Sequence, residues 1–292
     1  MPADPFSAVW VSHSSMSDFI KCPRAYYLKN VYKDPKTRHK ITIMAPALAL
    51  GQAVHEVIEN LSTIPTADRF KVSLIERYEN IWPKVSGKKG GFSSPNQEAE
   101  YKERGAAMLR RVMNHPGPVQ NLAVKINMDL PHYWLSPEDE IILCGKIDWL
   151  QYHPETDSVT ILDFKTGKGE EDENSLQLPI YRLLVANTQK RQVDGAFYWY
   201  LDREDELTPK DLPDIHEAHR QVLDVAKKIK VARKLNVMKC PKGEDGCFAC
   251  RPFESVLRGE AELVGTNEYR ADVYIISRSN PPSPDQSDSV VL

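Results

Sequence analysis

Apolar positions along the chain follow a helical period first and a strand period later. In "SSMSDFIKCPRAYYLKNVYKD", Met16, Phe19, Ile20, Tyr26, Tyr27 and Val31 make an apolar stripe, so a helix is expected to begin near Ser15 or Ser17. Pro23 interrupts it and predicts a junction of two short helices. "ALALGQAVHEVIENLS" sets Leu50, Val54, Val57, Ile58 and Leu61 on one face of a clearer helix. A third helix is expected over residues 67–82 and a fourth over "EAEYKERGAAMLRRVMNH", stopping at Pro116. Between them, "PKVSGKKGGFSSPNQ" has the glycine, serine and lysine content of a mobile loop.

The period then changes to two. "KINMDLPHYWLS", "EIILCGKIDWLQYH" and "DSVTILDFKTG" predict three successive strands in an antiparallel meander. A helix at "SLQLPIYRLLVANT", a strand at "VDGAFYWYLD" and a long helix over residues 213–237 follow. That last helix begins acidic and ends in "KKIKVARKLNVMK", the order that suits its dipole. A final strand is expected at "ADVYIIS", and "NPPSPDQSDSVVL" reads as a disordered tail. The order predicts a mixed α/β fold with a central sheet flanked by helices. We divide it into a flexible N-terminus (1–11), one domain (12–279) and the tail (280–292). The domain comprises a helical portion (12–120), a core (121–205) and a C-terminal part (206–279).

Composition limits the functional classes. The chain has 292 residues, 41% hydrophobic and 27% charged, as expected of a soluble globular protein with a real core. No apolar run approaches the ~20 residues that span a bilayer, and "MPADPFSAVWVSHSS" lacks the regions of a signal peptide, so a cytoplasmic location is expected. A net charge of −3 gives no global sign of nucleic-acid binding, although local basic runs at 29–40, 87–91 and 227–234 are candidate phosphate patches or merely solvated faces. The aromatic run "FYWY" (197–200) is expected to pack in the core.

The chemistry concentrates in "TILDFKTGKG", residues 160–169, where a β-branched strand ends in Asp163 and Lys165 on one face. If "HPETDS" (153–158) is the hairpin turn, paired residue numbers sum to 311. Asp148 then faces Asp163, and Lys146 faces Lys165. Facing carboxylates with Cβ atoms ~5 Å apart repel and invite a divalent cation such as Mg²⁺ or Mn²⁺. An Asp-X-Lys at a strand end can equally be a solvated pair, and it is Asp148 that adds weight to a site. Gln177 and Tyr181 share one helix face. Either could be structural, as could His55, although Gly51 one turn earlier would let another segment approach that face.

Five cysteines in a chain expected in a reducing compartment point to metal ligation. "CPKGEDGCFAC" groups Cys240, Cys247 and Cys250, and Cys22 is the natural fourth ligand. Four thiolates accept Zn²⁺ or an iron–sulfur cluster. Cys144 is expected in the core.

Together "SMSDFIKCPRAYYL", "GQAVHEVIENL", "GKIDWL", "ILDFKTG" and "QLPIYRLL" resemble, in order and spacing, the RecB-like branch of the PD-(D/E)XK nuclease superfamily, over residue 12 to about 253. The resemblance implies a restriction-endonuclease-like core in which His55, Asp148 and Asp163, aided by the Phe164 carbonyl, bind Mg²⁺ or Mn²⁺. It implies that Lys165 is catalytic and that Gln177 and Tyr181 form a Q-X-X-X-Y motif positioning DNA and the site. The cysteines resemble those of the subset that includes the CRISPR-associated exonucleases and the AddB nuclease domain, which implies a [4Fe–4S] clasp joining the N- and C-terminal parts. The C-X6-C-X2-C spacing and the chain beyond Cys250 depart from the compact members of that subset. The implied activity is exonucleolytic hydrolysis of single-stranded DNA, with helicase, CRISPR or recombination partners. The alternative is a non-catalytic DNA-binding subunit held together by Zn²⁺ or iron–sulfur, and an RNA-directed enzyme or a transferase on the same fold is also compatible with the sequence.

Overall fold

The computed structural model of the chain describes residues 4–276, so the expected tail at 280–292 lies outside the described residues. The first element, β1 (Val9–Val11), falls in the stretch expected to be flexible, and it is held because it pairs in parallel with Ile141–Leu143. Ser12 then caps α1 (His13–Lys21): its hydroxyl accepts from the Ser15 N–H, and the Ser15 hydroxyl accepts from the Ser12 N–H. This box starts the helix earlier than the apolar stripe alone indicates. Pro23 can open a helix but cannot continue one, so Cys22 becomes an extended joint before α2 (Pro23–Tyr26), which runs on into a π-helical turn over residues 27–31.

After β2 (Lys40–Ile43) come α3 (Pro46–Asn60), α4 (Leu74–Ile81) and α5 (Pro95–Asn114). α4 starts later than expected because residues 66–68 form a separate turn and Ser73 supplies the cap. The glycine-rich stretch expected as a mobile loop instead folds into 3₁₀ turns at 82–84 and 87–90, with Val85 and Phe92 buried. Gly91 is required there: its φ is +76°, and a Cβ would lie 2.9 Å from the Met44 carbonyl.

The strands β3 (His132–Ser136), β4 (Ile141–Cys144), β5 (Trp149–His153) and β6 (Ser158–Lys165) replace the single meander with one hairpin in each of two sheets. The break falls at residues 145–148, where the Gly145 N–H turns to the Pro131 carbonyl at 3.0 Å and Leu184 presses against Gly145. α6 (Gln177–Thr188), β7 (Gln192–Tyr200), β8 (Thr208–Lys210), α7 (Ile215–Leu235), α8 (Arg251–Leu257), β9 (Glu262–Thr266) and β10 (Ala271–Ile275) complete the described chain. The largest sheet, β5-β6-β7-β8, is mixed, with β6 parallel to β7 and antiparallel to β5. Two three-stranded mixed sheets, β1-β4-β3 and β2-β10-β9, flank it in sequence. The molecule is therefore a mixed α/β protein whose strands form three sheets. Among the described residues no helix is long and apolar enough to cross a membrane.

β6 is buried on both faces, and its alternation divides the core. Val159 and Ile161 pack with Ile180 and Leu184 of α6 and with Val222 of α7, whereas Leu162 and Phe164 pack with α3, α4 and α5. Tyr198, Trp199 and Tyr200 are buried, as expected of core aromatics, and so is Cys144. Arg69, also buried, ties the helical layer to the sheet. Its guanidinium donates to the carbonyls of Leu61, Ile64, Val119 and Asn121 and lies 5.0 Å from the Trp149 ring centroid. Arg69→Ala would strand four carbonyls that only a planar fork can serve together. It is expected to lower the unfolding free energy by about 3 kcal/mol, with Arg69→Lys recovering less than half, as measured by urea denaturation.

Candidate active site

The paired residues Trp149–Leu162 and Leu150–Ile161 have the register expected from the hairpin turn. The ladder ends at Trp149, so Asp148 stands just beyond it, beside Asp163. Lys146 does not face Lys165 as expected. It lies in the β4–β5 loop, exposed, because the strand has already broken. Asp148 Oδ2 accepts the Phe164 N–H at 3.0 Å, which fixes the carboxylate against the end of β6, and the Phe164 ring is buried.

Asp163 is only 2% exposed. Its Oδ1 accepts from Gln177 Nε2 at 2.7 Å. Its Oδ2 lies 2.8 Å from Lys165 Nζ as an ion pair, yet outside hydrogen-bond geometry, which leaves a buried lone pair uncommitted. Gln177 sits at the first turn of α6, so its amide reaches back to the strand end. The same side chain accepts from Lys165 Nζ and reaches the Tyr181 hydroxyl one turn on, at 3.3 Å. Lys165 Nζ also donates to Glu171 Oε2 at 2.8 Å and stands 4.7 Å from the Tyr198 ring centroid. Burial alone would lower the pKa of this ammonium, but Asp163 and Glu171 raise it above the ordinary lysine value. Lys165 is thus a fixed cation, a hydrogen-bond donor and not a base.

The third side of the site comes from α3. Gly51 lets the loop after β6 approach this helix, since a Cβ there would meet Thr166 Oγ1 at 3.1 Å. His55 Nδ1 lies 3.4 Å from both Asp148 Oδ2 and Glu59 Oε1. Burial would lower its pKa, but the Asp148 and Glu59 carboxylates raise it to about 9. Burial pushes Asp148 up to about 7, with Asp163 and Glu59 adding and His55 opposing. The pair therefore retains a proton at neutral pH when nothing else supplies positive charge.

His55, Asp148, Asp163, Phe164, Lys165, Gln177 and Tyr181 all line one 460 Å³ cavity. Three further groups escaped sequence reading: Glu59, one turn after His55; Glu171, which holds Lys165; and His13, 3.3 Å from Ser175 Oγ. The i,i+4 spacing of His55 and Glu59 was the available signal for the first. Glu171 comes from the loop after β6 and His13 from the first turn of α1, and neither gave one. A divalent cation fits this set. Ligand atoms of His55, Glu59 and Asp148 lie within 4.8 Å of one another, Asp163 keeps a free lone pair, and oxygen donors with one imidazole suit Mg²⁺ or Mn²⁺.

The second cluster joins Cys22, at the α1–α2 joint, to Cys240, Cys247 and Cys250, which precede α8; their sulfurs all lie within 4.8 Å of one another. None forms a disulfide. The Cys247 N–H points to Cys250 Sγ at 3.2 Å and the Lys242 N–H to Cys240 Sγ at 3.4 Å. Gly246, at φ +70°, leaves room that a Cβ would take, 3.0 Å from Cys250 Sγ. Burial would raise the Cys247 thiol, but the backbone N–H groups of Cys250 and Ala249 hold it down at about 7. The donor set fits a thiolate-bound metal. A single tetrahedral ion with Zn–S bonds of ~2.3 Å sets its sulfurs about 3.8 Å apart, and Cys247 and Cys250 are separated by 3.8 Å.

Asp148 and the buried Asp163 thus stand beside the charged Lys165 at the end of a central strand, with His55 on the facing helix. A sequence model of the PD-(D/E)XK nuclease superfamily matches residues 10–254, and the chain belongs to this superfamily. A search of curated proteins finds no match to the chain.

Because the His55–Asp148 pair retains a proton, divalent-ion binding is coupled to pH. Asp148 must ionise and His55 must lose its proton to bind, so Mn²⁺ affinity is expected to rise with pH through about 7 and on to about 9. About one proton per ion should be released between these two points and up to two below the lower one, as read by calorimetry in buffers of different protonation enthalpy. Affinity that stayed flat across this range would place the ion elsewhere.

Proposed function

We propose that the protein is a Mg²⁺- or Mn²⁺-dependent DNA exonuclease of the RecB-like branch, acting on single-stranded ends in the cytoplasm. The observation that carries the hydrolytic reading is the buried Asp163, ion-paired at Oδ2 with the charged Lys165 and standing beside Asp148. His55, Asp148 and Asp163 would hold the ion, with the Phe164 carbonyl beside them and Glu59 within reach. When bound, the ion supplies an activated water nucleophile and charge stabilisation at phosphorus. Lys165, kept protonated, donates to a non-bridging phosphate oxygen, and Gln177 orients both Lys165 and Asp163 through the two ends of one amide. Tyr181 steadies that amide. Water adds to phosphorus, the P–O ester bond breaks, and the leaving oxygen takes up a proton. Preference for exonucleolytic attack and for single strands rests on the resemblance. So do the settings we propose: DNA repair or recombination, CRISPR adaptation or phage DNA processing, alongside helicase or recombination partners.

The cysteines form a clasp between the two ends of the domain. The resemblance favours [4Fe–4S], whereas the sulfur spacing favours a second reading, one Zn²⁺. Anaerobic purification distinguishes them: a colourless protein with one equivalent of zinc supports the single ion, and a brown protein with iron and acid-labile sulfide supports the cluster.

On end-labelled single-stranded DNA, Lys165→Ala is expected to reduce Mn²⁺-dependent degradation by roughly 10²–10³-fold, with chelator abolishing it in the wild type. Cleavage that survives Lys165→Ala would assign it to another site or a contaminant. Absence of cleavage under every metal would favour the non-catalytic DNA-binding alternative.

A further inference from the structure

The hairpin β9–β10 lies beyond the family match. β9 is exposed at four of its five positions, Leu263 among them. Yet β10 is firmly anchored. It pairs in parallel with β2, and its buried Asp272 accepts from Thr37 Oγ1 at 2.7 Å and meets His39 Nδ1 at 2.8 Å. The connecting turn is shaped by Asn267, whose Oδ1 accepts the N–H groups of Tyr269 and Ala271 at 3.0 and 2.9 Å, with Arg270 at φ +57°. Tyr269 is thereby held at the tip, 72% exposed.

Its position has a clear relation to the active site. A 720 Å³ cleft runs from Glu268 and Tyr269 past Lys89 and Lys146 to His55 and Glu59. Lys146 also borders a second cleft, of 300 Å³, that reaches Asp148 along the β4–β5 loop. Among the cations of the larger cleft, Lys84 is neutralised by Glu56, whereas Lys89 and Lys146 are exposed and make no ion pair among the described residues. The carboxylates Glu56 and Glu59 lie beside His55 and Glu268 lies beside Tyr269, and Lys89 and Lys146 supply the unpaired positive charge of the same lining.

We propose, resting on the nuclease reading, that the β9–β10 hairpin is the outer wall of a single-strand track. Lys146 takes a phosphate next to the site, and Tyr269 stacks on an unpaired base farther along. A base inside a duplex has both faces covered, so an aromatic presented this way selects a single strand. The elements that follow the nuclease core would thus set which end of the substrate chain is gripped.

The test uses the full chain with its cysteine-bound metal. Anisotropy of a fluorescein-labelled oligothymidylate is measured without added divalent ion, and its degradation is measured with Mn²⁺. Tyr269→Ala is expected to weaken binding about ten-fold, with the loss appearing in KM and not in kcat, and Tyr269→Phe to restore both. Lys146→Ala is expected to reduce the slope of log affinity against log salt by about 0.7. A wild type that degrades the DNA while both alanine variants bind and respond to salt as it does overturns the track and leaves the nuclease reading standing. A wild type that binds through Tyr269 but never cleaves supports the track and sinks the nuclease reading. One that neither binds nor cleaves removes both.

Discussion

The structure turns on accommodating the Asp163 carboxylate, only 2% exposed, at the end of β6. A carboxylate at the end of a strand buried on both faces is tolerated only if its surroundings supply donors and positive charge. The surroundings are built in order from that point: the Gln177 amide from the start of α6, the Lys165 ammonium two residues along β6, then Glu171 and Tyr198 around the lysine. On the other side Asp148 takes the Phe164 N–H and leans on His55. Lys165 and His55 face Asp148, Asp163, Glu59 and Glu171, so the site is acidic until a cation enters. Glu171 holds the lysine, and in the proposed mechanism an incoming phosphate competes with it.

Long-range ties hold this arrangement in shape. The four cysteines join the α1–α2 joint to the segment before α8, and Arg24 adds an ion pair to Glu254 at 2.6 Å across the same seam. Arg104 reaches from α5 to the Thr166 carbonyl and to Asp202, bracing the loops that leave β6 and β7. β2 runs almost directly into α3, so the ladder between β2 and β10 also sets the seat of the helix that carries His55. A residue late in the chain therefore helps to aim one early in it.

Local patterns in the sequence carried much of this. The hairpin register followed from one turn and an alternating strand, because a period of two leaves a single way to face the core. Gln177 and Tyr181 were readable from helical spacing, and Gly51 from the approach it permits. What was not readable depends on distant partners. β1 was expected to be part of a flexible N-terminus because three residues carry no period until they meet β4. Glu171 reaches the site from a loop and His13 from the start of α1, and no local pattern encodes where either one docks. The glycine-rich stretch had the composition of a loop, yet Val85 and Phe92 give it a place in the helical core. The meander was expected as one sheet because nothing in "LCGKID" announces the break that α6 imposes at Gly145.

The lateness of β10 bears on how the chain is made. Among the described residues β2 has β10 as its only neighbour in the sheet, and Cys22 is equally without its three partners until residues 240–250 exist. During synthesis from the N-terminus both must wait while almost the whole domain emerges, with an open strand edge and a buried-type thiol exposed meanwhile. Closure is then a late event that joins first-made to last-made segments. A ribosome that stalls short of β10 leaves an unfinished chain with a templating edge, a natural client for a holding chaperone.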